Sequence, residues 1–131
     1  MHHGITVICA GGGGIPVVPD GLNGLRGVEA VIDKDLSAAL LARQLGADAL
    51  ILLTDVDAVY EGWGTPRERR IDVTTPAALR ALDLPAGSMG PKVEAACRFV
   101  EGGGRLAGIG ALADAAAILR GEAGTVIRRA A

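Results

Sequence analysis

Leu36-Ser-Ala-Ala-Leu-Leu-Ala-Arg-Gln-Leu-Gly46-Ala-Asp-Ala-Leu-Ile-Leu-Leu-Thr54 decides the fold class. Strong helix formers run from Leu36 to Leu45 and stop at Gly46, a residue suited to the left-handed position just past a helix end. Ala49 to Thr54 then carries no charge, which predicts a strand buried on both faces. A helix feeding such a strand is half of a parallel α/β unit, and the sequence beyond repeats the pattern. Thr75 and Pro76 supply an N-cap and first helical residue for a short helix through Leu82. Pro91 opens another helix, in which Val93, Ala96, Cys97 and Val100 recur at helical spacing while Glu94 and Arg98 pair on the wet side. Gly102 to Gly104 end it, Arg105 to Ile109 reads as a strand, Leu112 to Leu119 as a helix and Thr125 to Ile127 as a last strand.

Working outward in the other direction, Gly4-Ile-Thr-Val-Ile-Cys-Ala10 is short, β-branched and stopped by Gly11 to Gly14, so it predicts a further buried strand running into a loop. Glu29 to Ile32 leads into Asp33-Lys34-Asp35. Asp55 to Tyr60 turns into a polar loop holding Gly62-Trp63-Gly64 and Arg67 to Arg70. The expectation is one α/β domain over residues 1–131, a three-layer α/β/α sandwich with a mainly parallel sheet.

Composition narrows the partners. Half of the 131 residues are hydrophobic, the net charge is -2, and the 20 glycines are about twice the usual ~7% share. No Lys/Arg run offers a basic surface, which argues against nucleic acid and anionic membrane and for small molecules and other subunits. The uncharged stretch Gly4 to Pro19 is broken by four glycines and two prolines and has no basic leader, so no membrane partner and a cytoplasmic location are expected. Cys9 and Cys97 lack CxxC spacing and read as core thiols of a reducing compartment. His2 and His3 have no third ligand near in sequence, and no metal site is assigned to side chains.

In parallel sheets ligands bind beyond the carboxyl ends of the strands, where loops meet helix N-termini. The glycines gather there. Gly11 to Gly14 follow the first strand and Gly87-Ser-Met-Gly90 precede the Pro91 helix; either run can bring backbone amides close to phosphate oxygens or simply turn the chain tightly. The lysines say more. Against 11 arginines there are two lysines, Lys34 and Lys92, and each falls in the first turn of a helix, where a cation opposes the helix dipole at a cost of about 0.3 to 1 kcal/mol. Placed there, two ammonium groups suit a multiply charged anion such as the phosphates of a nucleotide; the plainer alternative is two solvated surface residues. Asp33 suits an N-cap, and Asp35 is positioned to pair with both lysines. Thr54 and Asp55 suit ribose or phosphate, or an Asx turn. Tyr60, Trp63 and Met89, read as loop residues, either sandwich a base or cover the sheet end.

At these residues the chain resembles the amino acid kinase superfamily and, within it, the carbamate kinase family. The matching stretches are Ile8-Cys-Ala-Gly-Gly-Gly-Gly-Ile-Pro-Val17, Gly27-Val-Glu-Ala-Val-Ile-Asp-Lys-Asp-Leu36, Leu53-Thr-Asp-Val-Asp-Ala-Val-Tyr60 and Pro85-Ala-Gly-Ser-Met-Gly-Pro-Lys-Val-Glu-Ala-Ala96. The resemblance implies a partial amino acid kinase-like fold and reversible phosphoryl transfer between ATP and carbamate, giving ADP and carbamoyl phosphate. It implies arginine degradation as the setting and Mg2+ held mainly by the nucleotide phosphates. It further implies that Lys34, Asp35 and Lys92 are catalytic, that Thr54, Asp55, Tyr60, Met89, Gly90 and Lys92 bind nucleotide, and that Gly11, Gly12, Gly13 and Gly14 form the loop near the transferred phosphoryl group. The family's amino-terminal half, with its own glycine-rich loop and a further catalytic lysine, has no counterpart in these residues. The expectation is therefore the carboxy-terminal, nucleotide-binding half, weakly active or inactive alone, associating as a homo-oligomer (a dimer in the family) or with a separate amino-terminal half. A related kinase with another acceptor and an inactive nucleotide-binding remnant are the alternatives.

Overall fold

The computed structural model describes residues 4–21, 24–82, 87 and 89–130. His2, His3 and, in the Pro85 to Gly90 loop, Pro85, Ala86 and Ser88 lie outside them. The central layer is a four-stranded sheet of β3 (Ala49–Thr54), β7 (Leu106–Ala111), β8 (Thr125–Ile127) and β6 (Val73–Thr74), in the spatial order β3-β7-β8-β6. Two short antiparallel hairpins flank it, β1 (Val17–Pro19) with β2 (Leu25–Gly27) and β4 (Val59–Glu61) with β5 (Arg69–Ile71).

One face of the sheet is covered by α1 (Lys34–Gln44) and α3 (Met89–Glu101). Asp33 caps α1, its carboxylate accepting from the Leu36 N–H at 2.8 Å, and Gly46 turns the chain at φ +62°. Asp35, Ala39 and Ala42 lie at i, i+4 and i+7 on the buried face of α1, and Ala95 and Ala96 of α3 are fully buried. Small residues on both helices let them pack closely. The apolar stripe expected on α3 is buried, with Phe99 and Lys92 added to it. α2 (Pro76–Arg80) is N-capped by Thr75 and tied to α3 by Arg80, which bonds both Glu94 and Glu101; Glu94 also holds Arg98 at 2.6 Å.

The opposite face carries α4 (Ala115–Arg120), entered through a 3-10 turn at Leu112–Asp114. Ile118 fills the shallow grooves over Gly108 and Gly110: a methyl on Gly108 would lie 2.3 Å from its side chain and one on Gly110 2.8 Å. Alternate β7 residues thus face different helical layers, which makes the three-layer sandwich. β3 pairs with β7 in parallel and β6 with β8 in parallel, whereas β7 and β8 are antiparallel. Six helical residues rise about 9 Å, half of what a six-residue strand covers, so after β7 the chain doubles back instead of crossing over.

Three expectations are corrected. Ile5 to Ala10 is not a buried strand: it is exposed and pairs with no strand among the described residues, Ile8 being 97% exposed. β-branched residues favour a pleated surface only where a partner strand and a covering layer exist. For the same reason Cys9 is exposed and not a core thiol, whereas Cys97 is buried, and burial pushes its thiol up to about 11. The polar stretch after Asp57 is the β4–β5 hairpin, so Tyr60 stands on a strand; Met89 begins α3 and is not a loop residue.

Candidate functional site

α1 leads into β3 and α3 leads into β7, so both helices run antiparallel to the parallel strands and present their N-termini at the strands' carboxyl ends. Lys34 is the first residue of α1. Lys92 is the fourth of α3, because that helix starts at Met89 and Pro91 sits inside its first turn. The two lysines meet on Asp35. Lys92 Nζ donates to Asp35 Oδ2 at 3.0 Å, and Lys34 Nζ lies 3.6 Å from the same oxygen. Their surroundings differ: the Lys92 side chain is 7% exposed and that of Lys34 63%.

Burying the Lys92 and Asp35 charges is costly unless they are paired and hydrogen-bonded. The pair is therefore a fixed strut between α1 and α3. Lys34 adds a second ammonium on the solvent side, and one carboxylate against two ammonium groups leaves the cluster one net positive charge. That charge, placed at two helix N-termini, is of the sign that suits an anion.

The glycine loop reaches the same place. Ala10, at φ +61°, and Gly13 close a turn through the Gly13 N–H and the Ala10 carbonyl at 2.8 Å. A methyl on Gly13 would lie 2.6 Å from the Ile32 carbonyl oxygen and 3.3 Å from the Lys34 amide nitrogen, so glycine is required there for the loop to lie on the start of α1. Gly12 and Gly14 line an open groove with Ala30, Val31 and Ile32. Gly11 and Gly14 have positive φ, whereas a methyl on Gly12 or Gly90 would meet open space. Packing thus does not explain glycine at 12 or 90.

The remaining candidates, Thr54, Asp55, Tyr60 and Met89, have other partners. Thr54 Oγ1 donates to Asp55 Oδ1 at 3.0 Å, an exposed local pair. The Tyr60 hydroxyl donates to Asp57, 3.0 and 3.2 Å from its two carboxylate oxygens, and the Tyr60 ring meets Trp63 edge-on at 5.0 Å. The Tyr60 bond, ahead of Arg70, holds the Asp57 carboxyl below its ordinary value, and the same bond raises the phenol. Met89 packs against the hydrophobic core, which accounts for it structurally. Among the described residues no hydrogen bond or ion pair joins Tyr60 or Met89 to the lysine cluster.

Sequence reading missed two elements of this end of the molecule. Buried Thr125 accepts from the Val59 N–H at 2.8 Å and donates to the Ile71 carbonyl at 2.5 Å, stitching the β4–β5 hairpin to the sheet. Arg70 bonds Asp57, Asp72 and the Gly124 carbonyl. A lone threonine in a last strand carries no signal of this; the Asp57/Tyr60 spacing and an arginine in a polar stretch were visible, but only the hairpin brings them together.

Residues 1–109 match the model of the amino acid kinase family. The chain belongs to that family. Among similar curated proteins, the carbamate kinase of Rhizobium meliloti (strain 1021) is 60% identical over 129 residues, covering 97% of this chain and 40% of its own length. That of Escherichia coli (strain K12) is 54% identical over 127 residues, covering 97% and 41%. The chain therefore spans about two fifths of the length of the curated relatives it matches. Among solved structures, carbamate kinase from Giardia lamblia bound to AMP-PNP superposes with a TM-score of 0.85 at 40% identity, over 91% of this chain and 43% of that one. The α/β/α sandwich is thus a partial amino acid kinase fold, and the kinase homology extends through all the candidate stretches up to residue 109. Among the described residues no helix is long and apolar enough to cross a membrane.

Proposed function

We propose that this chain is one domain, the nucleotide-binding portion of a carbamate kinase. Its reaction is phosphoryl transfer between ATP and carbamate, giving ADP and carbamoyl phosphate, the ATP-forming direction serving arginine degradation. The observation that carries the reading is the Lys34–Asp35–Lys92 cluster, a net cation built at two adjoining helix N-termini. Phosphoryl transfer asks a protein mainly for positioning and charge stabilisation. Asp35 holds Lys92 in place, Lys92 and Lys34 neutralise phosphate oxygens, and the Gly11 to Gly14 loop gives the transferred group room beside them. Thr54, Asp55, Tyr60 and Gly90 border the nucleoside side, with Met89 supporting the helix start. Asp35 is already engaged by the lysines, and no group of three or more potential ligands gathers among the described residues. In this reading Mg2+ rides on the nucleotide phosphates.

The likeness to the Giardia enzyme bound to AMP-PNP supports the nucleotide assignment. Titration calorimetry with MgADP tests it, and Lys34→Ala is the informative variant. Its exposed side chain is dispensable for folding, so a loss of about tenfold or more in affinity with unchanged thermal stability assigns Lys34 to phosphate, and unchanged affinity overturns the assignment. Turnover from carbamoyl phosphate and ADP is expected to be weak in this polypeptide alone and to rise when the remaining portion of a carbamate kinase is added in trans, since both reactants must be held for rate.

A further inference from the structure

Tyr60 is held by more than its strand. Its hydroxyl is tied to Asp57, and the Asp57 carboxylate in turn accepts from Arg70 Nε at 3.2 Å. A second arm of the same guanidinium reaches the Gly124 carbonyl at 3.4 Å, and a third engages Asp72. Gly124 is itself pinned. It lies at φ +69° against β7, where a methyl would come 2.6 Å from the Ile109 carbonyl oxygen. A continuous chain of contacts thus runs from the sheet through Gly124, Arg70 and Asp57 to the phenol. Trp63 closes on the ring from the hairpin side.

Nothing in the lysine cluster needs this chain of contacts, and a hairpin already anchored by Thr125 needs no second anchor to fold. What the second anchor adds is a fixed orientation for one aromatic ring beyond the carboxyl end of β3. We propose that Arg70, acting through Asp57, is a positioning residue that holds Tyr60 as the base-contacting wall of the nucleotide site, setting affinity for the nucleobase and leaving affinity for the phosphates to the lysines. This rests on the nucleotide-site reading above. It divides binding between two independently held groups, Lys34–Asp35–Lys92 for phosphate and Arg70–Asp57–Tyr60 for base.

The division is directly measurable, because Tyr60 is the only tyrosine and Trp63 the only tryptophan. Calorimetry is run with ADP and with inorganic pyrophosphate, which has phosphates and no base, on the wild type, Arg70→Ala, Arg70→Lys and Asp57→Asn. Loss of an ordered stacking partner is expected to weaken ADP about tenfold in Arg70→Ala and Asp57→Asn, leave pyrophosphate unchanged, and be partly restored in Arg70→Lys, which keeps a cation beside Asp57. Phenolate absorbance reads the tether without any ligand. The groups acting on the phenol are Asp57, Arg70 and Glu68, and Asp57→Asn is expected to bring its raised titration back towards the ordinary tyrosine value. Wild-type protein that binds neither ligand overturns the nucleotide reading and this proposal with it. Binding of both, with Arg70→Ala losing ADP and pyrophosphate equally or losing neither, overturns this proposal alone, as does a phenolate midpoint unmoved in Asp57→Asn.

Discussion

Ile5 to Ala10 and Leu50 to Leu53 are nearly interchangeable as sequence: short, apolar and uncharged. In the folded chain Leu52 is 5% exposed and Ile8 97%. Leu50 and Leu52 face Ala39, Ala42 and the α3 stripe, and β7 supplies a hydrogen-bonding edge. Among the described residues Ile5 to Ala10 has neither, and its last residue alone is held, in the turn that Gly13 closes. Burial is conferred by partners, and an apolar run records only readiness for them.

The largest effect is expected where the covered region contains what hydrophobic burial alone would not tolerate. Lys92→Ala leaves the Asp35 carboxylate buried without its strong partner and should cost about 3–5 kcal/mol, enough to unfold a marginally stable domain. Replacing both partners with apolar groups, as in Asp35→Leu with Lys92→Met, should recover much of the loss while abolishing phosphate binding. Denaturant unfolding of the three proteins checks this. A Lys92→Ala protein as stable as the wild type would mean that the pair is wet and that the contrast between the two regions has been overdrawn.

Next comes the direct comparison. Leu52→Ala opens a hole between the sheet and α1 and should cost about 3 kcal/mol. Ile8→Ala removes nothing packed and should fall within about 0.5 kcal/mol of wild type. Equal losses in thermal or urea unfolding would show that the amino-terminal arm is docked in solution.

Thr125 tests how the hairpin joins the covered region. Thr125→Val keeps the shape but leaves the buried Val59 N–H without an acceptor and the Ile71 carbonyl without a donor. A loss of about 1–3 kcal/mol is expected, with faster amide exchange at Val59 and a shifted Trp63 fluorescence. Stability loss without either local signal would place the damage in the sheet and not at the hairpin junction.

What was legible in the sequence follows the same division. The α1 cap at Asp33, the stop at Gly46, β3, the α3 stripe and the Glu94–Arg98 pair are local patterns whose outcome depends on neighbours along the chain, and each is where the residues indicate. The Asp35 bridge was legible because two rare lysines stood at two helix starts. The β4–β5 hairpin and the antiparallel return of β8 were not, because no local period announces those pairings, and neither were the Thr125 links and the Arg70–Gly124 bond, which join residues 54 to 66 positions apart. Ile5 to Ala10 failed from the opposite side: its local pattern was clear, and what it lacked was cover.

The smallest expected effect on stability carries the most telling effect on association. An exposed apolar segment with no charge or proline between Ile5 and Ala10 is unprotected against strand pairing between chains, and a net charge of -2 opposes contact only weakly. β3, at the edge of the central sheet, offers a receptive neighbour. The chain alone should therefore self-associate at tens of micromolar, roughly where exposed apolar surface begins to drive aggregation. Ile8→Lys, at a position already in solvent, should leave the unfolding midpoint unchanged while suppressing light scattering. Amides of Ile5 to Ala10 should exchange far faster than the β3 amides bonded to β7 in the dilute protein, and slow selectively as concentration rises, because pairing supplies the missing acceptors. Scattering that is absent in the wild type, or undiminished in Ile8→Lys, would mean that the segment finds its cover within its own chain, and the contrast between the two apolar runs would then be one of timing in folding and not of final burial.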